Sequence, residues 1–180
     1  RCLSRGLGDV YKRQGYFDHA FSGRLDWHRN SIPLYEDGYS TTLIADEAVR
    51  IIENINEDKP LFLYVAFNAP HTPIQAENSD IELFKDIEDI YERKYAANIY
   101  SLDREIGKII QSVEDKGILE DTIILFFSDN GPVFDIDPIA NVIAPDLMSA
   151  RGSSGKLKGS KMSAVSYTHL EPTRQASISY

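Results

Sequence analysis

Hydrophobic residues recur along this chain at two spacings, and the alternation between them predicts its architecture. From Ser40 to Asn56 the cap-competent residues Ser40 and Thr41 precede Ile44, Ala48, Ile51, Ile52 and Ile55, the three-and-four spacing of one buried helical face. Pro60 then introduces Leu61 to Phe67 (LFLYVAF), a continuous apolar run of the kind that is buried on both faces in a parallel sheet. The run ends at Asn68-Ala69-Pro70-His71-Thr72-Pro73. A short helix fits Asp80 to Asp89. A long one is expected over about Tyr91 to Lys116, stacking Ile99, Leu102, Ile106, Ile109, Ile110 and Val113 and stopping at Gly117. Thr122 to Phe127 (TIILFF) is a second buried-strand run, ending at Ser128-Asp129-Asn130-Gly131. Two such runs joined by a crossover long enough to hold a helix predict an α/β fold, a mostly parallel sheet flanked by helices. Ligands of such sheets sit beyond the carboxyl ends of the strands, which is where both polar clusters fall. After Gly131 the chain turns irregular for about 25 residues, with Pro132, Pro138 and Pro145 and then RGSSGKLKGSK, a length typical of functional loops or of disorder.

Composition narrows the classes. With 180 residues and 42% hydrophobic content the chain can bury the core of one compact domain. Its longest apolar run, seven residues, is far short of the roughly 20 that a membrane span needs. There are 19 Lys and Arg against 28 Asp and Glu, a net charge of -9, so no basic footprint for nucleic acid is expected. Cys2 is the only cysteine, which excludes disulfide scaffolds and cysteine-ligated metal sites.

The two ends read unlike the middle. Ser4 to Gln14 (SRGLGDVYKRQ) is the translation of the end sequence of a widely used transposon-based sequencing library, and Val165 to His169 (VSYTH) and Glu171 to Arg174 (EPTR) fit its reverse complement. Residues 1–14 and 165–180 are therefore expected to be adapter-derived and are set aside from the fold, Cys2 with them. That removes five basic and two acidic residues, leaving 14 against 26 and a net charge of -12 over 15–164. An acidic balance favours solubility and still permits an anion to be held by a few local cations.

Three sets of residues carry candidate chemistry. Asp129-Asn130-Gly131 is ordinary turn chemistry when taken alone. Taken together at a strand end, a carboxylate and an amide oxygen are hard ligands suited to Ca²⁺ or Mg²⁺. His71, stiffened between two prolines, can donate to a substrate oxygen or protonate a leaving group near neutral pH. Lys158 and Lys161 lie in a Gly/Ser-rich loop, where a lysine is usually solvated but can also grip a tetrahedral oxyanion.

GYFDHAFSG, KPLFLYVAFNAPHTP, GILEDTIILFFSDNGP and GKLKGSK, in this order and at these separations, resemble the central part of a type I sulfatase, similar to the arylsulfatases. The resemblance covers nearly all of 15–164, expected to be the central part of a sulfatase catalytic domain. It implies the alkaline-phosphatase-like fold in incomplete form, and hydrolysis of sulfate esters, including those of sulfated small molecules or glycans. The family's enzymes use a formylglycine nucleophile and a divalent cation, usually Ca²⁺, with Mg²⁺ as the alternative. By that resemblance Asp129 and Asn130 are metal ligands. His71 contacts the sulfate and helps the alcohol depart, and Lys161 binds the sulfate. Lys158 stands where the family usually has arginine. A periplasmic or secreted location is what the resemblance suggests.

The nucleophile's own pattern, C/S-x-P-x-R, does not occur in this chain, so formylglycine is expected upstream of this segment in the complete enzyme. The nearest imitation, Ser31-Ile32-Pro33-Leu34-Tyr35, has Tyr35 where arginine should be and is rejected. The chain alone is accordingly expected to be inactive. Two other readings stand beside this one: a phosphodiesterase or phosphonate hydrolase of the same superfamily, and a non-catalytic domain that binds sulfated glycans.

Overall fold

The computed structural model describes residues 2–3, 15–21, 23–56, 58–132 and 152–156. The chain forms two units, Arg1–Glu120 and Asp121–Tyr180.

The first unit is built on three helices. Helix α1 spans Ser40–Glu53 and buries Ile44, Ala45, Ala48, Ile51 and Ile52, the face expected from the spacing, with Ile55 half-buried just beyond its end. Its cap differs from expectation. Tyr39 occupies the N-cap position without a side-chain cap, because the Ser40 hydroxyl is engaged with the amide of Asn68 instead. Helix α2 is shorter and earlier than expected, Asn78–Leu83. It cannot run on to Asp89, because Asp89 takes an extended conformation and caps the next helix, its Oδ1 accepting from the backbone N–H groups of Tyr91 (2.8 Å) and Glu92 (3.0 Å). Helix α3 spans Ile90–Asp115 and packs against both α1 and α2. It closes as foreseen at Gly117, whose φ of +75° admits the left-handed turn. There Ile118 N–H donates to Val113 O and Gly117 N–H to Glu114 O, the paired bonds of a Schellman motif.

The buried face of α3 is not its apolar stripe. Ile99 is exposed and Leu102, Ile106, Ile109 and Ile110 are half-buried, while Ala97, Asn98, Ser101, Glu105 and Ser112 are buried beside Val113. Small and hydrogen-bonded residues can be buried there because three of them find partners across the packing, although Asn98 Oδ1 and Glu105 Oε2 are left without a hydrogen bond. Asn98 Nδ2 donates to Gln75 O, Ser101 Oγ to Asp80 Oδ2, and Glu105 Oε1 accepts from Thr42 Oγ1.

The strands are short. β1 (Cys2–Leu3) pairs in parallel with β6 (Tyr64–Val65), so only the centre of the run 61–67 is a strand, and β1 lies in the terminal stretch that reads as adapter. Two hairpins were not anticipated by the sequence pattern: β2 (Ala20–Phe21) with β3 (Arg24–Leu25), and β4 (His28–Arg29) with β5 (Ile32–Pro33). The second turns at Asn30 and Ser31, with φ of 51° and 68°, the left-handed pair of a tight hairpin.

In the second unit the expected strand over 122–127 is absent among the described residues. Ile123 is 88% exposed and Leu125 79%, and Phe126 and Phe127 are also exposed. A strand is made only by hydrogen bonds to neighbouring strands, so high β propensity by itself does not make the run a strand.

Candidate functional site

A loop of the first unit carries His71. It is a turn of Asn68, Ala69, Pro70 and His71, closed by His71 N–H donating to Asn68 O at 2.8 Å, with the Ala69–Pro70 bond cis. The imidazole is half-buried. Its Nδ1 lies 2.7 Å from the carbonyl oxygen of Thr72. Because a carbonyl only accepts, that contact places the proton on Nδ1, and Nε2 becomes the nitrogen that takes up or gives away a proton.

Residues remote in sequence hold this loop from beneath. The buried Tyr16 hydroxyl lies 2.8 Å from His71 O and 3.0 Å from Asn68 O, touching both ends of the turn. Further along, Gln75 O accepts from Tyr39 Oη (2.9 Å) and Asn98 Nδ2 (2.7 Å), and Gln75 Oε1 accepts from Tyr16 N–H at 2.7 Å. Tyr16 and Tyr39 stack with centroids 5.4 Å apart and share a small core with Ala69. Burial pushes the Tyr16 phenol far above its ordinary value. The neighbouring Tyr39 adds to the rise and the Asn98 amide opposes it. Burial likewise pushes Tyr39 up to about 12. Both hydroxyls therefore stay protonated donors at any physiological pH.

In the second unit Asp129 is exposed and Asn130 half-buried. Asn130 Nδ2 donates to Gly131 O at 2.8 Å, so its amide nitrogen is committed and Oδ1 is the end that suits a cation. Ser128 Oγ donates to Asn130 O at 2.9 Å and steadies the turn. Two adjacent hard oxygens fit Ca²⁺ or Mg²⁺ chemically, but Ca²⁺ takes about six to eight ligands. No cluster of three or more His, Cys, Asp or Glu forms among the described residues. Lys158 and Lys161 lie outside the described residues. Ser31 sits in the turn between β4 and β5 and is exposed.

Sequence reading named His71 but missed Tyr16, Gln75 and Asn98, since a tyrosine 55 residues away from the loop it holds leaves no local pattern. It also missed the charged cluster of Asp80, Arg104 and Glu105. Asp80 is 3% exposed, with Arg104 Nη1 at 2.6 Å and Ser101 Oγ at 2.5 Å.

Three comparisons give this arrangement a context. The Sulfatase family matches residues 4–168. Mouse (Mus musculus) arylsulfatase J is 34% identical over 128 residues, 71% of this chain and 19% of that protein. The endo-4-O-sulfatase of Bacteroides thetaiotaomicron is 27% identical over 149 residues, 71% of this chain and 28% of that protein. The crystal structure of Ps i-CgsB in complex with k-i-k-neocarrahexaose is similar with a TM-score of 0.56 and 36% identity, covering 58% of this chain and 23% of that one. The chain belongs to the sulfatase family, whose α/β fold is alkaline-phosphatase-like and incomplete here. It spans roughly a fifth to a quarter of the length of these relatives.

Proposed function

We propose that this chain is the central segment of a sulfuric ester hydrolase that acts on sulfated carbohydrate. The observation that carries the reading is the family match over 4–168, which contains His71, Asp129, Asn130 and Lys161 together. The carbohydrate substrate is supported by the relative named as an endo-4-O-sulfatase and by the similar structure solved with a neocarrahexaose. In this reading His71 contacts the sulfate and protonates the departing alkoxide from Nε2, the role for which a Nδ1 hydrogen bond to Thr72 O orients the ring. Lys161 holds a sulfuryl oxygen as a point charge. Asp129 and Asn130 hold a divalent cation, Ca²⁺ by preference. When bound, the cation offsets charge on the sulfuryl oxygens, and formylglycine, contributed from outside this chain, supplies the nucleophile. In the same reading the sulfatase sequence proper is 15–164, and the family match runs past it into the adapter-like stretches on both sides.

The test is an assay of sulfate release from an aryl sulfate and from a sulfated oligosaccharide. The purified chain is expected to show none, because it lacks C/S-x-P-x-R. The longer reading frame amplified from source DNA is expected to be active and to lose about 10²- to 10⁴-fold in kcat on His71→Ala. Hydrolysis by the 180 residues alone, or an active longer protein indifferent to His71→Ala, overturns the assignment. Calorimetry of the chain with CaCl₂ should give a Kd weaker than about 1 mM, since two ligands cannot replace six.

A further inference from the structure

We propose that Tyr16 is a positioning residue for His71: its hydroxyl clamps the two carbonyls that bound the Asn68–His71 turn and so sets the tautomer and direction of the imidazole. This rests on the catalytic reading of His71 but concerns a residue which that reading does not include.

The geometry has three parts. The phenol oxygen lies within hydrogen-bond distance of His71 O (2.8 Å) and Asn68 O (3.0 Å), and both are acceptors, so the phenol donates its one proton to the pair as a three-centre bond, closer to His71 O. Asn68 O also accepts from His71 N–H, so the same oxygen serves the turn and the clamp. His71 O belongs to the peptide that links His71 to Thr72, and Thr72 O is the acceptor that holds Nδ1–H. Fixing that peptide plane fixes the backbone from which the imidazole springs and the point where Thr72 begins, one peptide before the oxygen that holds Nδ1–H. Tyr16 is itself immobilised: 1% exposed, stacked on Tyr39, and tied through its backbone N–H to Gln75 Oε1 on the far side of the loop. A hydroxyl so held acts as a rigid strut, while one that merely filled space would need no second acceptor. Asn98 supports the loop's far end by donating to Gln75 O.

The experiment reads the ring directly in the full chain, by imidazole ¹⁵N NMR of His71, and needs no turnover. In the unaltered chain His71 is expected as the Nδ1–H tautomer. Tyr16→Phe removes only the hydroxyl, and the His71 signals should move towards the Nε2–H tautomer that a solvated imidazole prefers. Thr42→Ala, which removes a hydrogen bond to Glu105 elsewhere in the same unit, should leave them in place. Unchanged His71 signals in Tyr16→Phe, or an equal change in Thr42→Ala, overturn the proposal. Should Tyr16→Phe not fold, the phenolic proton of the unaltered chain decides. A slowly exchanging signal with contacts to residues 68–71 supports the clamp, and a rapidly exchanging one refutes it. The two readings fail separately. An active longer protein indifferent to His71→Ala removes the catalytic role and leaves the clamp, whereas unmoved ring signals remove the clamp and leave the catalytic role.

Discussion

Helices α1 and α3 of the first unit and the apolar run 122–127 of the second have similarly strong hydrophobic signals, yet the helices form where expected and the strand does not. Helices α1 and α3 make most of their backbone hydrogen bonds within their own residues, and α3 has a local N-cap at Asp89 and a local stop at Gly117. The run 122–127 needs N–H and C=O groups on other strands before its side chains have anything to cover. A local pattern can specify the first kind of element completely, whereas the second is specified jointly with residues far away.

Alkali should break the helical unit most thoroughly. Neutral Tyr39 and Tyr16 are favoured by burial, so their stabilisation is fully present below the unfolded tyrosine value near 10 and is lost as pH rises through the folded value, about 12 for Tyr39. Tyr39 alone accounts for roughly 2 to 3 kcal/mol of that loss. Tyrosinate absorbance and circular dichroism should change together above pH 10, and Tyr39→Phe should move the transition to higher pH. Independent titration of all tyrosines without loss of helix would sink this.

Arg104→Ala comes next. It leaves buried Asp80 with Ser101 but no counter-charge, and a cost of about 3 kcal/mol is expected, a Tm lower by roughly 6 to 12 °C. A shift below about 2 °C would mean the cluster is not coupled to folding. Asp89→Ala tests the helix's local punctuation and should cost about 1 kcal/mol, visible as a lower urea midpoint at constant m-value. The smallest stability effect belongs to the other side of the comparison. Leu125→Lys, on an exposed residue, should leave Tm within about 0.5 kcal/mol equivalents yet reduce aggregation, followed by light scattering. A large loss of Tm would show that the run is structural after all.

Much of the helical layer was legible, because Ile44, Ala48, Ile51 and Ile52 announce a face and Gly117 announces an end. The face of α3 was not, since Asn98, Ser101 and Glu105 are buried by virtue of partners at Gln75, Asp80 and Thr42 that no periodicity reveals. The hairpin turn at Asn30 and Ser31 had a signal in its asparagine that the helical and strand-run spacings did not use. Of the candidate site, the His71 loop was legible from its two prolines and the Asp129–Asn130 pair from its turn chemistry. The Tyr16 strut was invisible, being a contact between one motif and another.

One further feature equips the chain with its own instrument. Trp27 is the only tryptophan, and its ring stacks on buried His19 at 4.3 Å while its Nε1–H donates to Glu36. A disturbance of that stack or of the Glu36 bond changes the surroundings of a single indole, so the chain's own fluorescence is a built-in optical reporter beside the two hairpins, with no label attached.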